Sequence, residues 1–261
     1  LLASAGNIER RAAELGVNCS LDNLAAEGHD AVLLAMGLSG SVRLAGAEPP
    51  SQGVESAIDF LRDTKHGGRK VTGSVLIIGG GNTAMDAALS ALRAGADSVS
   101  VVYRRSFTEM PAWPEERDIA MREGVNFLVL TQPLRYVAAA SGALTAVEVV
   151  RTRLGEPDAS GRRRPENIES TRHFIPCDLV VEAIGQTLAA PLRAALTGVE
   201  LTSSGHVRTA PGSFQTTRER VFAAGDLVNG GATVVEAVAE GARAAREIDT
   251  ALRGAAFVQL A

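Results

Sequence analysis

The chain has 261 residues, of which 46% are hydrophobic, 21% charged and 4% aromatic, a balance that excludes disordered, collagen-like and coiled-coil chains. A formal net charge of −4 argues against nucleic acid and anionic membranes as partners, because both select cationic surfaces; a small molecule or another protein is expected instead. Cys19 and Cys177 are the only cysteines, too far apart in sequence for a vicinal dithiol, a cysteine zinc site or an iron–sulfur cluster, and the lack of an apolar leader or membrane-length run points to the cytoplasm.

In chain order, Ile8 to Leu15 has helical spacing and would stop at Gly16, where a left-handed cap suits glycine. A polar turn follows. Ala31 to Met36, AVLLAM, is expected as a short buried strand ending in Gly37. Pro49, Pro50 and Gly53 mark a connection, after which Ser51 could cap a helix running through Leu61, with Glu55 near its N-terminal end. From Val75 to Ala94 a four-residue apolar strand meets three glycines and then a helix-forming run. Past Gly95 the chain returns to a second apolar strand, Val99 to Tyr103, completing a strand–helix–strand unit of about thirty residues.

Pro114 and Gly124 bracket one more helix, followed by a strand from Asn126 to Leu130. Ala146 to Arg153 alternates like a half-buried strand, and the turn-rich stretch from Gly155 to Asn167, with its Arg162-Arg163-Arg164 run, suggests a hairpin tip before a strand at Arg172 to Ile175. The arginine run is read as a solvated loop. Asp178 to Ile184 is a further buried strand closed by Gly185, Val221 to Asp226 is the last strand, and Val234 to Ile248 is a long alanine-rich helix. His29, His66, His173 and His206 sit at no ligand spacing, so no metal site is expected.

The chemistry concentrates at Gly79-Gly80-Gly81-Asn82-Thr83-Ala84, a G-x-G-x-x-A directly after a strand and opening a helix. Gly79 permits a tight turn, Gly81 lets the backbone approach a pyrophosphate, and Ala84 allows close helix packing. Amide groups at the helix start would hold the anion. The next strand ends in Arg104 and Arg105, where a protein specific for NAD would place an acid on the ribose hydroxyl. Two arginines favour a 2′-phosphate, and therefore NADPH. Near the other end, Gly225-Asp226 closes a strand and Ala232-Thr233 leads into a helix at Val234, an arrangement able to bind polyol hydroxyls and to stabilise a reduced flavin.

LIIGGGNTAMDAA, VVYRRS, EMPA, VVEAIGQ and VFAAGDLVNGGATVVEAVAEGARAA together resemble the NADPH-dependent glutamate synthase small-subunit branch of the pyridine nucleotide oxidoreductase superfamily. The resemblance implies an α/β fold with two Rossmann-like dinucleotide-binding domains, an NADPH domain inserted in an FAD domain. The expected division is residues 1–50 and 191–261 for the FAD part and 51–190 for the NADPH part. By the same resemblance, residues 79–84 would hold the NADPH pyrophosphate, Arg104 and Arg105 its 2′-phosphate, and Gly185 would mark the crossover between domains. Asp226, after Gly225, would bind the FAD ribityl and phosphate region, with the backbone at Ala232, Thr233 and Val234 facing the isoalloxazine and Gly37 near the FAD.

Such proteins begin with a separate G-x-G-x-x-G for FAD, so the chain reads as the C-terminal part of a longer one with an incomplete FAD domain. The implied reaction passes a hydride from NADPH to FAD and electrons on to a protein acceptor such as a glutamate synthase large subunit. The cofactors carry the reactive atoms, so no catalytic side chain is nominated. A non-catalytic NADPH-binding module, or a reductase with another acceptor such as ferredoxin, sulfide or a pyrimidine, is the alternative.

Overall fold

A computed structural model describes residues 8–158 and 161–254. In chain order the elements begin with α1 Leu21–Ala26, β1 Val32–Leu34, β2 Gly40–Ser41, β3 Val54–Ser56, α2 Ala57–Gly67 and β4 Ser74–Ile78. Next come α3 Asn82–Arg93, β5 Ser98–Tyr103, α4 Pro114–Arg122, β6 Asn126–Val129, β7 Thr131–Ala138, β8 Leu144–Pro157 and β9 Arg163–Asn167. After a 3-10 turn at Glu169–Thr171 follow β10 His173–Pro176, β11 Leu179–Glu182, β12 Gln186–Thr187, α5 Ala190–Ala195, β13 Val221–Ala223, α6 Asp226–Asn229 and α7 Val234–Leu252.

The chain divides into two compact units, one made of residues 1–40 and 186–261 and the other of residues 41–185. The second is therefore inserted between the two parts of the first.

In the inserted unit, β3, β11, β4, β5 and β6 lie side by side in that order, every pair parallel. Their near-continuous apolar runs follow from being covered on both faces. Val75, Ile77, Val99, Val101 and Val181 pack with Phe60, Ala84, Met85 and Ala120 from the helices. The alternate residues Leu76, Ile78, Val102 and Val180 pack instead against Tyr136, Leu144, Val147 and Val149 of an antiparallel sheet ordered β10-β8-β7. Only part of that second layer is signalled in the sequence. β7 contains Pro133, which discourages a strand assignment, and the ladder accommodates it at the sheet edge with a register irregularity between Pro133 and Arg135. β8 is buried continuously from Ala146 to Val150, where it is the central strand, and alternates only from Val150 to Arg153. β9 pairs only with β8, an edge position that tolerates Pro165.

Two further segments differ from their local sequence signals. Ile8 to Leu15 is not helical: residues 8–14 are exposed, and a segment with no face to bury cannot offset the cost of helix nucleation. The cap of α2 is Ser56, whose hydroxyl accepts from the Asp59 amide at 3.1 Å, and Glu55 lies in β3. The Ser51 hydroxyl instead donates to the Gly142 carbonyl at 3.1 Å.

In the other unit, β1 and β13 run parallel with Val32 opposite Val221 and Leu34 opposite Ala223. Leu21, Leu34, Leu188, Val207, Val221 and Leu227 form its core. Of α7 only Ala244 is buried, and Val234, Val235 and Val238 are exposed.

Candidate functional site

The inserted unit gathers its candidate residues at the carboxyl ends of β4, β5 and β11, the end at which open parallel sheets bind ligands. Each glycine of the turn has its own physical cause. Gly79 has φ of 145°, and a Cβ there would stand 2.2 Å from the Ala183 carbonyl oxygen at the end of β11. At Gly80 a Cβ would lie 2.5 Å from the Tyr103 ring. Gly81, the N-cap of α3, is extended, and a Cβ there would meet nothing within 4 Å. Open space at the third glycine is what a ligand needs. Ala84, one turn into the helix, is fully buried.

First-turn amides of any helix lack intrahelical acceptors. In α3 no side chain caps them and no acid sits in the first turn, so the partial positive charge of the helix start is left for an anion. The Asn82 side chain is already used: its Oδ1 accepts from the Trp113 amide at 3.0 Å. With the Ala112 amide donating to Gly80 O at 2.9 Å and the Tyr103 hydroxyl donating to Glu109 O at 2.8 Å, the loop of residues 106–113 is tied along the glycine turn. The Ser106 hydroxyl and amide donate to the Glu109 carboxylate and hold its pKa below the usual range.

The two arginines at the end of β5 have different fates. Arg104 is exposed, with its carbonyl held by the Thr152 hydroxyl at 2.8 Å. Partial desolvation first, then the Arg105 and Arg162 charges, push its pKa down. Arg105 is 5% exposed. Its Nε donates to Arg163 O at 2.7 Å and its Nη2 to Asp158 at 2.8 Å, so it fastens the β8–β9 hairpin. Gly185, with φ of 151°, lies past β11 and accepts from the Val42 amide at 3.0 Å.

A cavity of about 720 Å³ lies elsewhere, lined by Lys65, Arg69, Asp86 and Arg93 among others. It sits at the far end of α3 from Gly81. The candidate site is thus carried by the geometry of the helix start rather than by a deep concavity.

The other unit holds the second set. Because β1 and β13 pair in parallel, Gly37 and Gly225-Asp226 follow the same end of one sheet. Gly225 has φ of 74° and its amide donates to Glu240 at 2.7 Å. Asp226 accepts from the Ala232 amide at 3.3 Å, a long bond that leaves the carboxylate capacity for hydroxyl donors. A Cβ at Gly37 or Gly231 would meet nothing within 4 Å. These features fit the hydroxyl-bearing chain of a flavin nucleotide. The start of α7 contrasts with that of α3. Thr233 and Glu236 form a capping box, and the Thr233 amide already donates to Glu236 at 2.9 Å. These bonds to Thr233 keep the Glu236 pKa low.

Trp113 was not singled out from the sequence. The available signal was a lone tryptophan directly before a proline that opens a helix.

Among the described residues, no helix is long and apolar enough to cross a membrane, and no group of three or more His, Cys, Asp or Glu side chains could hold a metal ion.

The profile of the family described as pyridine nucleotide-disulphide oxidoreductase matches residues 4–241. The NADP(+)-dependent formate dehydrogenase subunit beta of Moorella thermoacetica is 44% identical over 92% of this chain and 34% of its own length. The glutamate synthase [NADPH] small chain of Escherichia coli (strain K12) is 37% identical over 89% of this chain and 52% of its own. The chain thus spans about a third to a half of these relatives. Among solved structures, Mycobacterium tuberculosis FprA in complex with NADPH superposes with a TM-score of 0.68 at 17% identity, covering 90% of this chain and 68% of that one. At that identity the likeness is one of fold.

Proposed function

Because the chain belongs to the pyridine nucleotide-disulphide oxidoreductase family, we propose that it forms the NADPH-binding domain and part of the FAD-binding domain of an NADPH-dependent flavin oxidoreductase. The observation that carries this reading is the start of α3, uncapped, free of acids and open at Gly81, with the exposed Arg104 on the next strand. The amides of Asn82 and Thr83 bind the pyrophosphate, with Gly79, Gly80 and Ala84 shaping the turn that presents them. Arg104 meets the 2′-phosphate, and Arg105 holds the adjoining hairpin in place. In the other unit Asp226 accepts from ribityl hydroxyls, while Gly37, Gly225 and the backbone from Ala232 to Val234 leave room for the flavin nucleotide. When bound, the nicotinamide supplies a hydride and the flavin accepts it.

The names of two relatives, a formate dehydrogenase subunit and a glutamate synthase small chain, support electron delivery to a partner chain. We carry the glutamate synthase type as the specific assignment. The test is anaerobic absorption spectroscopy of the purified chain with FAD and then NADPH. A retained flavin band that NADPH bleaches is expected. A chain that retains no flavin would refute the flavin half of the proposal, and a flavin band that NADPH leaves unchanged would refute hydride transfer.

A further inference from the structure

Trp113 breaks the local rules that explain its neighbours. It is the N-cap of α4, a position favouring Ser, Thr, Asp or Asn, and it makes no side-chain cap. Nor does it serve the core, since it is 55% exposed while Ala112 before it is 3% exposed. Phe107, in the same loop, is accounted for by its contacts with the Phe127 ring at 5.5 Å and the Arg117 guanidinium at 5.8 Å. Among the described residues the Trp113 indole has no ring or cation partner. A large aromatic group left in water against both its cap preference and its burial preference points to a role outside folding.

Its position suggests the role. The Trp113 amide is held 3.0 Å from Asn82 Oδ1 in the first turn of α3, and Ala112 is held 2.9 Å from Gly80 O. The indole therefore stands on the loop that leaves β5 just after Arg104 and returns to the glycine turn. In a dinucleotide bound by its pyrophosphate at α3 and its 2′-phosphate at Arg104, the group on this β5 side is the adenine. A planar base and an exposed indole stack irrespective of hydrogen-bond pattern.

We propose that Trp113 is a cofactor-contact residue that stacks on the adenine ring of the dinucleotide. The inference rests on the dinucleotide reading above and adds to it a contact that acts on the base rather than on the phosphates. It therefore contributes affinity to NADP⁺ and NAD⁺ alike.

The test is isothermal titration of the full chain and of Trp113→Ala and Trp113→Phe with NADP⁺ and with adenosine 2′,5′-bisphosphate. Trp113→Ala is expected to weaken both ligands by roughly tenfold, in line with base–aromatic stacking, and Trp113→Phe to recover most of that loss. The lone tryptophan gives a second readout, since its emission in the unaltered chain should be quenched saturably by adenosine 2′,5′-bisphosphate. Unaltered binding by Trp113→Ala overturns the inference while leaving the dinucleotide site standing, and so does a loss in Trp113→Phe as large as in Trp113→Ala. If the unaltered chain binds neither ligand, the dinucleotide reading itself falls, and this inference with it.

Discussion

The Gly79 α-carbon faces the Ala183 carbonyl so closely that an added Cβ would stand 2.2 Å from its oxygen. Two parallel strands, β4 and β11, are thereby joined at their carboxyl ends by a contact that only glycine permits. Gly79→Ala, with its φ of 145°, is expected to cost roughly 2–3 kcal/mol from backbone strain and the clash. Gly81→Ala, in extended backbone with open space around it, should change stability by less than about 0.5 kcal/mol. Urea unfolding of both variants separates a glycine kept for the fold from one kept for a ligand.

The two arginines should separate in the same way. Arg104→Ala is expected to leave the urea midpoint unchanged and to weaken NADP⁺ binding much more than NAD⁺ binding. Arg105→Ala removes a buried guanidinium together with its bonds to the Asp158 carboxylate and the Arg163 carbonyl, and should cost roughly 2–3 kcal/mol of stability. Equal losses for the two nucleotides in Arg104→Ala would remove it from the 2′-phosphate.

At the start of α2, Ser56→Ala should cost about 1 kcal/mol, whereas Ser51→Ala should be close to neutral. The Ser56 hydroxyl is also the main reason the Asp59 pKa is lowered, ahead of Arg62. A depressed carboxylate contributes stability that is present above its unfolded pKa and lost as pH falls through the lowered folded value. In Ser56→Ala the Asp59 titration followed by NMR should move up toward the ordinary aspartate range, and that share of acid-sensitive stability should shrink.

Glu182 is a buried carboxylate with three donors: the Tyr136 hydroxyl at 2.6 Å, the Leu44 amide at 2.7 Å and Arg43 at 2.7 Å. It pins residues 43–44 to the end of β11. Burial and then the Glu182 hydrogen bond push the Tyr136 pKa up, so Tyr136 stays a donor across the working pH range. Tyr136→Phe, which removes one donor from a buried charge, should cost about 1–2 kcal/mol, measured by chemical denaturation.

Much of the inserted unit was legible because its signals are local. Val75 to Ile78, the three glycines and the buried face of α3 each follow from residue spacing and from what a tight turn demands. What was illegible depends on pairing across the sequence. β7 hides behind Pro133, and β9 carries Pro165 at a sheet edge. Nothing near Arg105 announces that Asp158, far along the chain, will bury it. The apolar spacing of Ile8 to Leu15 suggests a helix, but residues 8–14 are exposed among the described residues. Ser51 reads as the cap from local sequence alone, and the pairing of β3 with β11 moves the helix start to Ser56 by keeping Val54 to Ser56 extended.

The most direct measurement is isothermal titration of NADP⁺ into the unaltered chain and into Gly81→Val. Valine is compatible with the extended backbone at this position and fills the space before the α3 amides. Saturable binding to the unaltered chain and its loss in Gly81→Val, with an unchanged thermal unfolding transition, are expected. Equal affinity in a folded Gly81→Val chain would show that residues 79–84 are only a turn and would contradict the dinucleotide site.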